Sequence, residues 1–200
     1  MWPVPVMQEK PICILSSELM EYFDIVDENG TPTGETVERS YAHRYGVRHR
    51  TAHVWIFRKH DGRTEILLQK RSDIKDSFPG CYDISSAGHI PAGVEYLPSA
   101  IRELNEELGL TAGEKDLLYC GTKSVSEDNC FHGIPYHDRQ VTQIYILWYT
   151  PEMGEFRLQE EEVSEVRWLD FAECICSVRE NRFPNCIDLP ELELLTSFVK

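Results

Sequence analysis

Positive charge is scarce in this chain. Twenty Lys and Arg stand against 34 Asp and Glu, a formal net charge of −14 at pH 7. So acidic a surface is a poor match for a nucleic-acid backbone, and no nucleic-acid partner is expected. Long apolar runs are absent too. No stretch approaches the roughly 20 residues that a membrane-spanning helix needs, so no membrane partner is expected either. The opening MWPVPVMQEK has no basic segment leading into an apolar core and does not read as a secretory signal. None of the seven cysteines (Cys13, Cys81, Cys120, Cys130, Cys174, Cys176 and Cys186) has zinc-type or redox-type spacing. The odd number reads as free thiols in a reducing, cytoplasmic setting, and the Cys174-x-Cys176 pair as structural. Internal repeats and low-complexity linkers are missing as well. What is present, 42% hydrophobic and 27% charged residues over 200 positions, is the make-up of one globular domain with a sizeable core. Residues 1–20 are expected to form an N-terminal arm, and 21–200 a single domain with helices at its C-terminal end.

Strand and helix patterns alternate along that domain. EYFDIV from Glu21 to Val26 reads as a short strand, closed by the turn signal Asp27-Glu28-Asn29-Gly30. Thr36 to Tyr45 is polar and contains a short helix. TAHVWIF (Thr51 to Phe57) and EILLQK (Glu65 to Lys70) form a hairpin around His60-Asp61-Gly62. Asp73 to Pro79 is a loop. Leu117 to Val125, VTQIYILWY (Val141 to Tyr149) and VRWL (Val166 to Leu169) are further strands, and Ser126 to Asp138 reads as a polar loop. Helices are expected around Phe171 to Arg179 and from Leu189 to Val199. Strands on both sides of a central helix predict an α/β fold with helices packed on a mixed sheet.

That central helix ends the stretch GHIPAGVEYLPSAIRELNEELGL, Gly88 to Leu110. Leu97, Ala100, Ile101, Leu104 and Leu108 recur at helical spacing as one apolar stripe. Pro98 suits the first turn and Gly109 the stop. Glu103, Glu106 and Glu107 fall together on the side away from the stripe. Like charges at this spacing each cost a helix roughly 0.2–0.5 kcal/mol. A hard divalent cation reverses that term, and oxygen ligands suit Mg²⁺ or Mn²⁺. On its own such a face is equally well a solvated one.

The flanking residues narrow the reading. Gly88, Arg102-Glu103-Leu104, Glu106-Glu107 and Gly109-Leu110 resemble the signature of the Nudix hydrolase family, matching eight of its nine specified positions over 23 residues. The departure is Val94, which stands where the signature has a loop-bracing Glu. The resemblance implies a Nudix-type α/β/α sandwich that uses Mg²⁺ (or Mn²⁺) to cleave a small-molecule diphosphate, nucleotide-like or organic. A homodimer follows only from family habit. By the same resemblance Glu103, Glu106 and Glu107 hold the metal, Arg102 orients them, and Glu107 or Glu106 is a candidate general base. The acidic run Glu160-Glu161-Glu162 is the other candidate for the base. Lys70 and Arg71, at the end of their strand, are candidates for substrate phosphates. Phe131, Tyr136 and Tyr145 are candidates to stack on a base.

From about Tyr22 to Asp170 the chain also resembles the isopentenyl-diphosphate isomerase branch of the superfamily. His49 and His89 match histidines that hold a second metal there; His43 is one residue out of step. The isomerases' proton-transfer cysteine and glutamate align with Ala87 and Gln140, neither of which moves a proton well. A metal-dependent hydrolase is therefore the leading expectation. An isomerase-like enzyme and a non-catalytic ligand-sensing Nudix module are the alternatives.

Overall fold

A computed structural model of the protein describes residues 21–75 and 77–199; the arm expected over residues 1–20 lies outside them. Two strands, β1 (Tyr22–Val26) and β2 (Pro32–Glu38), pair as a separate antiparallel ribbon ahead of helix α1 (Arg39–Tyr45). The main sheet contains β3 (His49–His60), β4 (Arg63–Arg71), β5 (Tyr82–Asp83), β6 (Ser86–His89), β7 (Leu117–Phe131), β8 (Ile134–Trp148) and β9 (Val163–Asp170). Its centre is the parallel pair β3–β8, in register from His49↔Gln140 to Phe57↔Trp148. All other pairings are antiparallel.

The feature that makes the site is a fork beside β3. β4 pairs with β3 only from Phe57↔Ile66 to His60↔Arg63 and then leaves it, while its other edge pairs with β9 from Glu65↔Asp170 to Arg71↔Val163. β6 takes the vacated edge, pairing Thr51↔His89 through Val54↔Ser86. Helix α2 (Tyr96–Leu108) lies over one face of the sheet, on Ala52, Val54, Ile56, Leu67 and Leu147. Helices α3 (Phe171–Arg179) and α4 (Leu189–Leu194) cover the other face, on Trp55, Phe57, Ile66, Leu68 and Ile146. This is the expected α/β/α layering with a mixed sheet. β3 and β8 are buried on both sides, so their sequences read as near-continuous apolar runs rather than alternating ones. The α2 stripe is buried as its spacing predicts, and Gly109 closes the helix at φ 70° in the left-handed region.

Three expectations change. Ser126 to Asp138 is not a loop: β7 and β8 stay paired through Phe131↔Ile134, turning on His132 (φ 52°) and Gly133 (φ 79°). Two successive positive φ values suit the tight hairpin turn that matches strand twist. This ribbon's residues are exposed or half-buried, with Tyr136 against His43 of α1, so it has no fully buried face to impress alternation on its sequence. PTGETVE of β2 escaped notice for the same reason, with five of its seven residues exposed. The last helix stops at Leu194 and continues as a single 3₁₀ turn, Leu195–Ser197. Among the described residues Cys81, Cys120, Cys130, Cys174, Cys176 and Cys186 are free, and no helix is long and apolar enough to cross a membrane.

α4 is held by a buried carboxylate. Glu191 accepts from Trp55 Nε1 at 2.7 Å and His53 Nδ1 at 2.9 Å, and pairs with Lys123 Nζ at 2.6 Å. Burial alone would raise its pKa; the His53 and Lys123 partners outweigh burial and hold it at about 2. Removing one member of such a buried pair strands the others, at a cost of roughly 3–5 kcal/mol. Glu191→Gln is therefore expected to lower the unfolding free energy by an amount in that range, measured by urea denaturation at neutral pH. A change below about 0.5 kcal/mol, the size of an ordinary surface substitution, would show that α4 is not anchored this way.

Candidate active site

The signature loop leaves β6 at His89, crosses Gly93 (φ 76°) and enters α2 after Glu95. Gly88 sits in β6 directly under the helix. A Cβ built there would stand 2.5 Å from Glu103 Cγ and Oε1, so only glycine lets the helix approach this closely. The three glutamates are not equivalent. Glu106 is exposed and pairs with Arg102, whose other nitrogen donates to Glu103 Oε1 at 2.5 Å. Glu103 is half-buried against Gly88. Glu107 is only 6% exposed, and its Oε2 has no hydrogen-bond partner; nor has the buried Ser86 hydroxyl of β6. The expectation of a single solvent-side acidic face is thus corrected. Glu107 comes three residues after Leu104 and just before Leu108, on the flank of the stripe, where the sheet fork reaches it.

Electrostatics follow from that burial. Desolvation lifts the Glu103 carboxyl to about 7; Arg102 opposes the lift and Glu106 adds to it. Desolvation, then the Glu103 charge, lifts Glu107 to about 8, against the Ser86 hydroxyl. Arg102 relieves Glu103 and Glu106 but does not pair with Glu107. Two buried carboxylates of one sign, one with an orphaned oxygen, form a donor set suited to a hard cation.

The segment after β8 closes the far side. Arg157 N donates to Leu108 O at 2.8 Å and Gln159 N to Glu107 O at 3.0 Å, stitching residues 157–159 to the α2 C-terminus. Of the acidic run that follows, Glu160 and Glu161 are exposed. Glu162 turns inward: its charge contributes to raising Glu107, and its carboxylate pairs with Lys75.

The phosphate-binding expectation fails on geometry. Lys70 shares the sheet face of Ile66 and Leu68, which pack under α3 and α4, so it points away from α2. Arg71 is on the correct face, but its guanidinium is occupied by Asp83 Oδ2 (2.9 Å), Ser77 O and Ser77 Oγ (both 3.0 Å), tying the β4–β5 loop. Tyr145 is buried in the core under α2 and cannot stack on a ligand. Tyr136 instead stacks on His43 at 4.3 Å, with Phe131 against it at 5.4 Å.

His43, His49 and His89 converge beside the glutamates, with one ligand atom of each within 4.8 Å of the others. His43 was out of step by spacing; α1 delivers it from another element. Val47 O accepts from His49 Nδ1 at 2.8 Å, which fixes the proton there and leaves Nε2 a free lone pair. The Nε2 atoms of all three rings are buried without partners. Desolvation holds His49 at about 4 and His89 well below its ordinary value, so both are neutral. Asp138 Oδ1 is 3.2 Å from His43 Nδ1; no sequence signal had singled it out.

Comparison with known proteins bears on this geometry. The family model of the NUDIX domain matches residues 47–185. The chain is 43% identical over 157 residues to Nudix hydrolase 3 of Arabidopsis thaliana, covering 76% of this chain but 20% of that protein. It is 36% identical over 143 residues to an uncharacterised Nudix hydrolase of Clostridium acetobutylicum, 72% of this chain and 66% of that one. A Salmonella typhi Nudix hydrolase, also uncharacterised, is 33% identical over 150 residues, 74% and 72% of the two chains. Among solved structures, a Deinococcus radiodurans protein aligns with a TM-score of 0.59 at 17% identity, over 80% of this chain and 90% of its own. The NUDIX domain of Shewanella oneidensis NrtR, solved with ADP ribose, aligns with a TM-score of 0.56 at 20% identity, over 76% and 88%. At these identities the structural likeness concerns the fold.

The raised carboxyls carry a stability signature. Glu103 and Glu107 favour the protonated folded state, so their contribution is fully present below the unfolded value of 4.5 and is lost as pH rises through about 7 and 8. His49 and His89, held neutral in the fold, oppose this trend below about pH 6.5, so the metal-free protein is expected to show a falling Tm between about pH 7 and 8.5, and saturating Mn²⁺ to flatten that fall. A metal-free Tm that rises through this window would contradict the burial of the pair.

Proposed function

The chain belongs to the NUDIX domain family, and from that premise we propose that it hydrolyses the diphosphate linkage of a nucleotide-like or small organic diphosphate, with Mg²⁺ or Mn²⁺ as cofactor. The observation that carries this reading is the buried pair Glu103 and Glu107, with Glu107 Oε2 unpartnered. A bound divalent cation supplies charge neutralisation on the diphosphate oxygens and a lowered pKa for the attacking water. Glu103, Glu106 and Glu107 hold it, and Arg102 fixes two of them by charge-assisted hydrogen bonds. Glu162 approaches from the opposite side and is the acid of its run placed to take a proton from water. Its pairing with Lys75 orients it. The cluster of His43, His49 and His89 is a second cation site, of the nitrogen type that suits borderline transition metals. The isomerase-like alternative is disfavoured by Ala87, and by Gln140, whose amide is tied to Asp138 at 2.9 Å.

The test is release of phosphate or monophosphate from a panel of ADP-ribose, dinucleotide cofactors, nucleoside di- and triphosphates, CoA and isopentenyl diphosphate, with Mg²⁺ or Mn²⁺. Glu107→Gln is expected to fold normally and lose about 10²–10⁴-fold in kcat. Glu162→Gln is expected to lower kcat comparably while keeping Mn²⁺ affinity, which separates a base from a ligand. Wild-type turnover in Glu107→Gln would contradict the assignment of α2 as the metal helix. Allylic product from isopentenyl diphosphate would favour the isomerase-like reading.

A further inference from the structure

Helix α2 lacks the usual means of fixing its own start. Its N-cap residue is Glu95, which makes no side-chain cap hydrogen bond, and the preceding signature position is Val94, which carries no charge. Yet the height and rotation of this helix over β6 decide whether Glu103 meets Gly88 and Glu107 meets Ser86. Something else must hold the loop.

The contacts identify it. Arg50 of β3 is 3% exposed, and its Nη2 donates to Val94 O at 2.7 Å and to Asp24 Oδ2 at 2.8 Å. Its guanidinium lies 5.2 Å from the ring centroid of Tyr96, the first residue of α2, and 3.8 Å from Glu95 Oε2. The same Asp24 oxygen accepts from Gly93 N at 2.9 Å. Backbone bonds run alongside: Ala92 N to Tyr22 O at 2.8 Å and Ile90 N to Arg50 O at 3.0 Å, with Phe23 bridging Pro91. The ribbon that precedes the family match therefore lies against the loop along its length. One carboxylate and one buried guanidinium close the contact.

We infer that Asp24 and Arg50 are positioning residues for the metal carboxylates: they clamp the loop at Gly93 and Val94 and so set the placement of Glu103 and Glu107 against β6. Neither touches the reacting groups. The ribbon β1–β2 with α1 is on this account a working part of the site, since it supplies Asp24 to the loop and His43 to the histidine cluster. The inference rests on the metal reading of Glu103, Glu106 and Glu107; the clamp itself does not.

Two readouts separate those levels. Hydrogen–deuterium exchange of the loop amides at 90–95 in metal-free protein reports the clamp, and Mn²⁺ titration followed by EPR reports its consequence. Asp24→Asn is expected to accelerate loop exchange and weaken Mn²⁺ binding by about tenfold or more, the usual scale for losing an outer-shell support. Asp24→Glu, which keeps the carboxylate, is expected to retain most of the loop protection and of the Mn²⁺ affinity. Arg50→Lys, which keeps the charge but not the forked geometry, is expected to show an intermediate loss, and carries the test if Asp24→Asn does not fold. Unchanged exchange in Asp24→Asn, or a loss in Asp24→Glu as large as that in Asp24→Asn, would overturn the inference. If Glu107→Gln leaves Mn²⁺ binding unaltered, the metal reading falls instead, and the exchange results alone decide the clamp.

Discussion

Two like-charged carboxylates held out of water are the constraint around which this structure is arranged. Glu107 is almost wholly buried, with the half-buried Glu103 next to it on the same helix face, and among the described residues no cation pairs with Glu107. An isolated buried carboxylate is costly enough that it takes up a proton rather than stay charged, and both groups are shifted in that direction. On the proposed metal reading, a fold that accepts this cost would keep a site that gains strongly when a divalent cation arrives. The fork in the sheet is the means: β4 leaves β3, β6 takes its place, and α2 can then settle with Glu103 on a glycine.

The same logic explains how the rest of the positive charge is used. With 20 basic residues against 34 acidic ones, few cations are available, and several are structural. Arg71 ties the β4–β5 loop to Asp83, Arg50 joins β1 to the signature loop, and Lys123 helps to anchor α4 through Glu191. An anionic substrate would therefore depend on bound metal far more than on surface charge, which fits a site built of oxygen donors.

Much of the fold was legible in the sequence. The α2 stripe, its glycine stop and the strand VTQIYILWY each carry a period or a burial pattern that is local. The hairpin over 126–138 was not legible, because a ribbon with no fully buried face has little reason to alternate. At the site, spacing put Glu103, Glu106 and Glu107 together on the helix, while their reading as metal ligands oriented by Arg102 came from the resemblance to the family signature. The burial of Glu107 was not, since helical period gives a face but not the depth to which another element approaches it. Lys70 next to Arg71 looked plausible until alternation along β4 put them on opposite faces. His43, Asp24 and Arg50 reach the site through tertiary contacts; Asp24 meets Arg50 across 26 positions and Gly93 across 69. No local pattern encodes such pairs.

The most direct test of a carboxylate pair built for a cation is the number of protons released when metal binds. Calorimetric titration of Mn²⁺ at pH 6.5, in buffers of different ionisation enthalpy, measures it. With the two carboxyls at about 7 and about 8, binding should expel about one to two protons per cation at that pH and almost none above pH 9.5. Binding without proton release at pH 6.5 would mean that the cation is not held by Glu103 and Glu107, and the account would be wrong at its centre.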